Sequence, residues 1–182
     1  MAPKATVYKA ELQISDMDRH YYAAHTLTIA QHPSETDERL MVRLLAFAMY
    51  AQPGLEFGRG LSSDDEPDLW RRSLTGEIEQ WIYLGQPEES RIRKACGRSR
   101  QVTLIGYSGR SFGIWWEKIA SALARCENLA VIELPEDSAD SLGGLIARNM
   151  RLQCLIQDAE IQLMSDTASI TIVPARRQNA RS

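Results

Sequence analysis

The first part of the chain alternates between apolar and polar residues in a way that predicts two β-strands. Residues 4–15 and 21–32 place apolar side chains at nearly every second position, which is the period of a strand with one buried face. The segment between them, residues 16–20, is turn-like and short enough to join an antiparallel pair. We therefore expect an N-terminal β-hairpin over residues 4–32.

The pattern then changes to the spacing of an amphipathic helix. Apolar residues recur three and four positions apart from Leu40 to Ala48, and Pro53 with the following glycine ends the run. Ser34, followed three residues later by Asp37, predicts a capping box at the start of this helix.

The rest of the chain alternates between short strands and helices. We predict strands over residues 55–61, 67–72, 76–85, 101–107 and 128–134, helices over residues 87–99, 111–126 and 136–149, and a β-meander over residues 150–174. From residue 34 to residue 107 the predicted order is helix, three strands, helix, strand. This αβββαβ succession is also the core topology of restriction-endonuclease-like nucleases, although many mixed sheets can produce it. We expect an α/β fold with an α+β mixed sheet, in a single domain over residues 1–182 with its core roughly at 34–134.

Composition and charge place the chain among ordinary globular proteins. Of its 182 residues, 44% are hydrophobic and 25% are charged, and the formal net charge of -3 does not indicate general affinity for nucleic acid. No apolar stretch is long enough to cross a bilayer, and the start of the chain lacks the apolar segment of a signal peptide. We expect a cytoplasmic protein with no membrane partner.

Neither the three cysteines nor the end of the chain shows a sequence pattern that indicates a particular chemistry. Cys96, Cys126 and Cys154 lack the spacing of a zinc site or a disulfide framework, so we expect reduced cysteines that serve packing. The tail over residues 175–182 is polar, and we expect it to be frayed.

One carboxylate stands out on the first predicted helix. At 100° per residue, Glu38 projects between Leu45 and Met49, inside the apolar sector. A buried carboxylate needs a partner or a ligand, since burying it alone is costly. Alternatively, Glu38 reaches solvent near the helix start or pairs with Arg39 or Arg43.

Two further acids occur on neighbouring predicted strands. Asp68 opens the strand at 67–72, and Glu79 lies in the middle of the next strand, on the face that we predict for Glu77, Trp81 and Tyr83. Oxygen ligands of this kind suit Mg²⁺, which keeps several waters and needs only two or three carboxylates. The spacing alone does not distinguish such a site from a solvated sheet face.

The helix after these strands concentrates positive charge. Five cations occur within ten residues, and these are Arg91, Arg93, Lys94, Arg98 and Arg100. One interpretation is a solvated helix face, balanced by Glu88 and Glu89. The other is that one cation reaches the carboxylates while the others hold phosphates. Lys94 is the candidate for the first role because it lies beside the apolar side of the helix.

Several long phrases of the sequence resemble the YaeQ family of bacterial proteins. They are KATVYKAEL, HPSETDERLMVRLLAFA, FGRGLSSDDEPDLW, WIYLG, RIRKACGRS and IWWEK, and together they extend from about residue 2 to the last predicted strand. The resemblance implies a variant of the PD-(D/E)XK nuclease superfamily with a magnesium-type site, in a family whose biochemical role is not established.

Carried over residue by residue, the resemblance assigns Pro67 and Asp68 to the PD pair, Glu79 to the acidic position of the third strand and Glu38 to the helix glutamate. The motif lysine is absent, because Trp81 stands two residues after Glu79. Lys94 is then the candidate for a lysine that has moved to the next helix.

Two functions follow as expectations. The first is a Mg²⁺-dependent (or Mn²⁺-dependent) nuclease or other phosphodiester-handling protein, in which Asp68, Glu79 and Glu38 hold metal and Lys94 orients the attacking water. A nucleic-acid partner would be held by the backbone amides of residues 58–60 and by a set of arginines, namely Arg59, Arg91, Arg93 and Arg98. The second is a non-catalytic binding or regulatory protein that retains a degenerate nuclease fold, which the missing lysine favours.

Overall fold

The computed structural model describes residues 4–181 and shows a mixed α+β fold, as the sequence predicts. The strands are β1 (Thr6–Asp16), β2 (Tyr21–Gln31), β3 (Leu55–Phe57), β4 (Leu69–Arg72), β5 (Ile78–Leu84), β6 (Ser99–Gly106), β7 (Leu129–Glu133), β8 (Asn149–Gln157), β9 (Glu160–Met164), β10 (Ser169–Ile172) and β11 (Ala175–Gln178). The helices are α1 (Asp37–Tyr50), α2 (Glu89–Arg98), α3 (Arg110–Leu123) and α4 (Ser138–Gly143), with a 3₁₀ turn at Gly60–Ser62. From α1 to β6 the elements occur in the predicted order of helix, three strands, helix and strand.

The chain forms two compact units. The first unit contains the residues up to Gln52 and Ser138–Val173, and the second contains Pro53–Asp137 and the residues from Pro174 onward. Each unit is built on one mixed sheet. The prediction of a single domain with a core at 34–134 stays a prediction.

The sheet of the first unit has the strand order β10-β9-β8-β1-β2. The predicted N-terminal hairpin is confirmed, because β1 and β2 pair antiparallel from Thr6 opposite Gln31 to Asp16 opposite Tyr21. The predicted meander is also present, but its first strand, β8, pairs parallel to β1. Helix α1 packs against β1 and α4, and α4 packs against β10.

Helix α1 differs from its prediction in its cap and in its burial. Its N-cap is Thr36, whose hydroxyl accepts a hydrogen bond from the Arg39 amide at 3.2 Å, whereas Ser34 bonds the His32 ring instead. The residues from Leu40 to Ala48 are all buried, so the helix is buried on every side and lacks the polar face that the spacing suggested.

A buried ion pair precedes α1, and the sequence analysis missed it. The Glu35 side chain is only 2% exposed, and it accepts hydrogen bonds from Arg39 Nη1 at 2.9 Å and Arg43 Nη2 at 2.7 Å. Arg43 Nη2 also donates to the Ala30 carbonyl at 2.8 Å. The two arginines considered as partners of Glu38 therefore serve Glu35.

The sheet of the second unit has the order β11-β7-β6-β5-β4-β3, with β5, β6 and β7 parallel and the outer pairs antiparallel. The expectation of a frayed tail is wrong for β11, because Ala175–Gln178 pairs with β7 and the Gln178 side chain donates to three carbonyls. Ser182 lies outside the described residues.

An apolar cluster on one side of this sheet positions α2. Trp70, Trp81 and Tyr83 of β4 and β5 pack edge to face, with ring centroids 5.6–5.9 Å apart. Ile92 and Ala95 of α2 are buried in the same cluster. This burial fixes which face of α2 is turned to β5 and which remains polar.

Candidate functional site

A cavity of about 330 Å³ lies over β5 beside α2. Its floor includes Trp81 and Tyr83, one wall carries three cations of α2, and the rim carries three acids. The cations are Arg91, Lys94 and Arg98, and the acids are Asp64, Asp65 and Glu88. We call this site the cation cavity.

The three cations share one side of α2 because of their spacing. Arg91, Lys94 and Arg98 are three and four positions apart, so they lie above one another on consecutive turns. The neighbouring Ile92 and Ala95 are buried, which anchors the helix and leaves the long cationic side chains at the edge of the apolar cluster. Arg98 lies 5.5 Å from the centre of the Trp81 ring, and Arg91 lies 5.9 Å from the centre of the Tyr83 ring.

Two buried N–H donors at this cavity lack a hydrogen-bond partner among the described residues. Trp81 is 2% exposed, and its indole N–H lies beside the Tyr83 hydroxyl without forming a hydrogen bond of normal geometry. The Nε–H of Arg91 is also buried without an acceptor of normal geometry, although the guanidinium interacts with the Tyr83 hydroxyl. An unsatisfied buried donor costs about 1–3 kcal/mol, so both groups favour a ligand that offers acceptor oxygens.

The Tyr83 hydroxyl is close to both of these donors, the Trp81 indole and the Arg91 guanidinium. Burial raises the pKa of Tyr83 above its usual value, the nearby Asp68 charge adds to the rise, and Arg91 and the Trp81 indole partly offset it. The phenol is therefore neutral at physiological pH and keeps its O–H as a donor.

Asp68 is buried next to this tyrosine. Only 3% of Asp68 is exposed, its Oδ2 accepts a hydrogen bond from the Leu84 amide at 2.9 Å, and its own amide donates to the Ile82 carbonyl at 3.2 Å. Leu69, the residue after Asp68, pairs with Ile82, and the Asp68 carboxylate is close enough to Tyr83 for its charge to act on the phenol. A tyrosine is thus a close neighbour of the aspartate of the PD pair.

The structure does not bring Glu79 to Asp68. Glu79 precedes Tyr83 by four residues on β5, which corresponds to roughly 13 Å along the strand. Its carboxylate pairs instead with Arg71 at 3.2 Å and Arg100 at 3.8 Å. Binding of one Mg²⁺ ion by both Asp68 and Glu79 stays a prediction.

A β-bulge explains why the alternation on β5 was misleading. The register between β4 and β5 shifts between Arg71 and Arg72, opposite Glu79. Ile78, predicted on the face away from Trp81 and Tyr83, packs against the same cluster as these two residues. A bulge inserts one extra residue and so breaks the period of two.

Gly58 and Gly60 pack against the PD pair, Pro67 and Asp68, and do not form an open phosphate-binding loop. The Gly58 and Gly60 amides donate to the carbonyls of Asp68 and Pro67, each at 3.0 Å. A Cβ at Gly58 would lie 2.2 Å from the Pro67 carbonyl oxygen, and a Cβ at Gly60 would lie 2.6 Å from Asp68 Oδ1. The missing side chains let this loop approach Pro67 and Asp68 closely, so these two amides are not available to a phosphate as predicted.

The remaining predicted site residues are not among those that line the cation cavity. Arg93 pairs with Glu89 at 2.7 Å along α2, and the largely exposed Arg59 pairs with Glu66 at 3.3 Å. Glu38 belongs to the first unit, where its side chain lies against the backbone of Gly143.

Two absences hold for residues 4–181. No group of three or more His, Cys, Asp or Glu side chains in this range is placed to hold a metal ion. No helix in the same range has both the length and the apolar character needed to span a membrane.

Trp81 and Tyr83 are the site residues that the sequence analysis missed. From the sequence, Trp81 was only the residue found in place of the motif lysine, and Tyr83 was only a neighbour on the face predicted for Glu79. The available signal was the length of the hairpin, because the start of β4, at Leu69, must meet the far end of β5. Choosing Tyr83 required the register, which depends on the bulge.

The fold and the cavity together define an α+β protein with two mixed sheets and a cation-lined site on the second. The chain belongs to the YaeQ family, whose model, described as YaeQ protein, matches residues 1–174. The "Uncharacterized protein YaeQ" of Escherichia coli (strain K12) is 42% identical over 172 residues, covering 94% of this chain and 95% of the relative. The protein of that name from Salmonella typhi is 45% identical over 163 residues, covering 90% of each chain.

Solved structures of the family share the fold. The crystal structure of YaeQ protein from Xanthomonas axonopodis pv. citri is 62% identical, with a TM-score of 0.93 over 96% of this chain and 98% of that chain. That of YaeQ protein from Pseudomonas syringae is 33% identical, with a TM-score of 0.92 over 98% of both chains. The mixed α+β fold is thus a property of the family.

Proposed function

We propose that this protein binds nucleic acid through the cation cavity, without cleaving it, on a fold related to the restriction-endonuclease-like nucleases. The observation that carries the proposal is the cation cavity itself, in which Arg91, Lys94 and Arg98 lie beside the buried Trp81. The two acids predicted as the metal site do not line this cavity, because Asp68 is buried beside Tyr83 and Glu79 pairs with Arg71 and Arg100. The predicted alternative of a binding protein on a degenerate nuclease fold is therefore the better supported one.

The chemistry of the cavity supports a phosphate ligand. Arg91, Lys94 and Arg98 supply charge, and the indole N–H of Trp81 supplies a directed donor. Asp64, the acid that approaches Arg91, is 3.8 Å away with a side chain 99% exposed, and such an exposed pair contributes about 0–1 kcal/mol. A phosphate can displace it at little cost.

Neutralising the three cations is expected to abolish most of the binding. The variant Arg91→Gln/Lys94→Gln/Arg98→Gln should bind a short oligonucleotide roughly 100-fold more weakly at low salt, and the slope of log K against log[salt] should fall by about 2–3. Fluorescence anisotropy over a salt series measures both quantities.

Arg93→Gln is the matched control, because Arg93 lies on α2 and carries the same charge outside the cavity. This substitution should change the affinity by less than about threefold, because the exposed ion pair of Arg93 with Glu89 contributes little energy. Equal losses in Arg93→Gln and in a single cavity variant such as Lys94→Gln would mean that net charge, not the cavity, governs binding. No binding of DNA or RNA by the wild type would remove the proposal.

The predicted Mg²⁺ or Mn²⁺ site is tested separately by thermal shift. On the present proposal, neither ion raises the Tm of the wild type more than that of Asp68→Asn/Glu79→Gln, and neither supports cleavage of DNA or RNA. Tyr83→Asp places a second carboxylate near Asp68 and is the variant expected to gain ion-dependent stabilisation. A stabilisation of the wild type that the double variant lacks, together with cleavage, would favour the nuclease.

A further inference from the structure

We infer that the cation cavity takes a nucleoside phosphate monoester, such as the phosphorylated end of a strand, rather than an internal phosphodiester. This inference rests on the proposed function and specifies its ligand. It follows from the size of the cavity, from the number of donors inside it and from the acids at its rim.

The size of the site is that of a small ligand. Pockets for small molecules and cofactors have volumes of about 300–1,000 Å³, and the cation cavity, at about 330 Å³, lies at the lower end of this range. A site of this volume accommodates one terminal unit and not a long stretch of strand.

The donors match a dianion better than a monoanion. A phosphate monoester carries a charge of about -1.5 to -2 at neutral pH and three terminal oxygens, whereas an internal phosphodiester carries a single charge and two such oxygens. Arg91, Lys94 and Arg98 provide three positive charges, and the unpartnered N–H groups of Trp81 and Arg91 add acceptor-seeking donors. The additional negative charge and terminal oxygen of a monoester would interact with these additional cations and donors.

The acids at the rim discriminate against a continuing strand. Asp64, Asp65 and Glu88 line the same cavity as the cations. An internal phosphodiester has a neighbouring phosphate on both sides, and like charges placed together across an interface are unfavourable. A terminal phosphate has only one neighbour, so it encounters less of this repulsion.

The test compares ends of defined chemistry. Binding is measured for one short single strand in three forms, namely unphosphorylated, 5′-phosphorylated and 3′-phosphorylated, and for the corresponding mononucleotide. One phosphorylated strand is expected to bind at least ~10-fold more tightly than the unphosphorylated strand, which corresponds to about 1.4 kcal/mol. Arg91→Gln/Lys94→Gln should remove this difference, with the Tm of the variant reporting that it remains folded.

A second variant tests the rim. Asp64→Asn/Asp65→Asn keeps the cations but removes repulsion, so it should improve binding of the unphosphorylated strand more than that of the phosphorylated one. The mononucleotide identifies the source of the monoester. Binding as tight as that of the phosphorylated strand assigns the site to free nucleotides, and weaker binding assigns it to strand ends.

The possible failures are distinguishable. Equal affinity for all three strand forms, lost in the cation variant, overturns the inference and leaves nucleic-acid binding intact. Absence of binding by every strand, in the wild type and in Asp64→Asn/Asp65→Asn, overturns the proposed function itself. If Arg91→Gln/Lys94→Gln still prefers a phosphorylated end, that end binds to another part of the protein. This outcome overturns the inference.

Discussion

Replacing Glu35 by alanine is expected to lower the free energy of unfolding by about 3–5 kcal/mol, because it leaves buried positive charge without its partner. The Glu35 carboxylate lies 2.7 Å from Arg43 and 2.9 Å from Arg39, and the side chains of these arginines are only 9% and 12% exposed. The Ala30 carbonyl, which accepts from Arg43 at 2.8 Å, is neutral and does not replace the lost carboxylate charge. Chemical denaturation followed by circular dichroism measures the loss.

The control for Glu35→Ala is an exposed ion pair in the same unit. Glu11 and Arg151 lie 3.4 Å apart with side chains 67% and 79% exposed, so Glu11→Ala should cost less than about 1 kcal/mol. Replacing both Glu35 and Arg43 by methionine should recover much of the stability, since a buried pair exchanged for apolar groups of similar size is often neutral. If Glu35→Ala costs no more than Glu11→Ala, Glu35 is not a buried partner of these arginines in solution.

The second large effect is expected from Gly58→Ala. The added Cβ would lie 2.2 Å from the Pro67 carbonyl oxygen, which is a backbone atom and has no flexible side chain to move away. Such overpacking costs about 1–3 kcal/mol or more. Because Gly58 also donates to the Asp68 carbonyl, the shift would displace the start of β4 and weaken ligand binding in the cation cavity above it. The variant is measured by Tm and by oligonucleotide affinity.

Gly113→Ala is the matched control for this substitution. Gly113 lies in α3, and a Cβ there meets nothing within 4 Å. The same chemical change should therefore stabilise the protein by up to about 1 kcal/mol, because alanine is the better helix former. A Gly58→Ala variant as stable as the wild type would show that the loop need not approach Pro67 so closely.

Some of the cation cavity was predictable from the sequence. The spacing of Arg91, Lys94 and Arg98 on a helix with two buried residues places three cations on one side, and no knowledge of the rest of the chain is needed for this. Lys94 was singled out for its position beside the apolar side of α2, and it does line the cavity. Its proposed role at the phosphate stays a prediction.

The choice of acids was not predictable. Asp68, Glu79 and Glu38 were selected by residue type and by resemblance, but the geometry depends on a register that shifts at Arg71 and Arg72. A shift of one residue changes which side chains share a face. The alternation in the sequence places Asp68 and Glu79 on one surface, but in the structure the four residues from Glu79 to Tyr83 separate these two acids. The buried carboxylate of the first unit, Glu35, lies before α1 and was invisible to a helical projection.

The local periodicity of apolar residues therefore determined much of the secondary structure of this protein. It identified the hairpin, helices α1 to α3 and the succession from α1 to β6, because a strand or a helix shows its own repeat in the side chains that it buries. The tertiary structure alone decided which segments pair. The alternation within β8 does not reveal that it lies parallel to β1, nor does the polar tail reveal that β11 joins β7. Backbone hydrogen bonds between distant segments carry no signature in side-chain type, and for the same reason only the tertiary structure could place Tyr83 near Asp68.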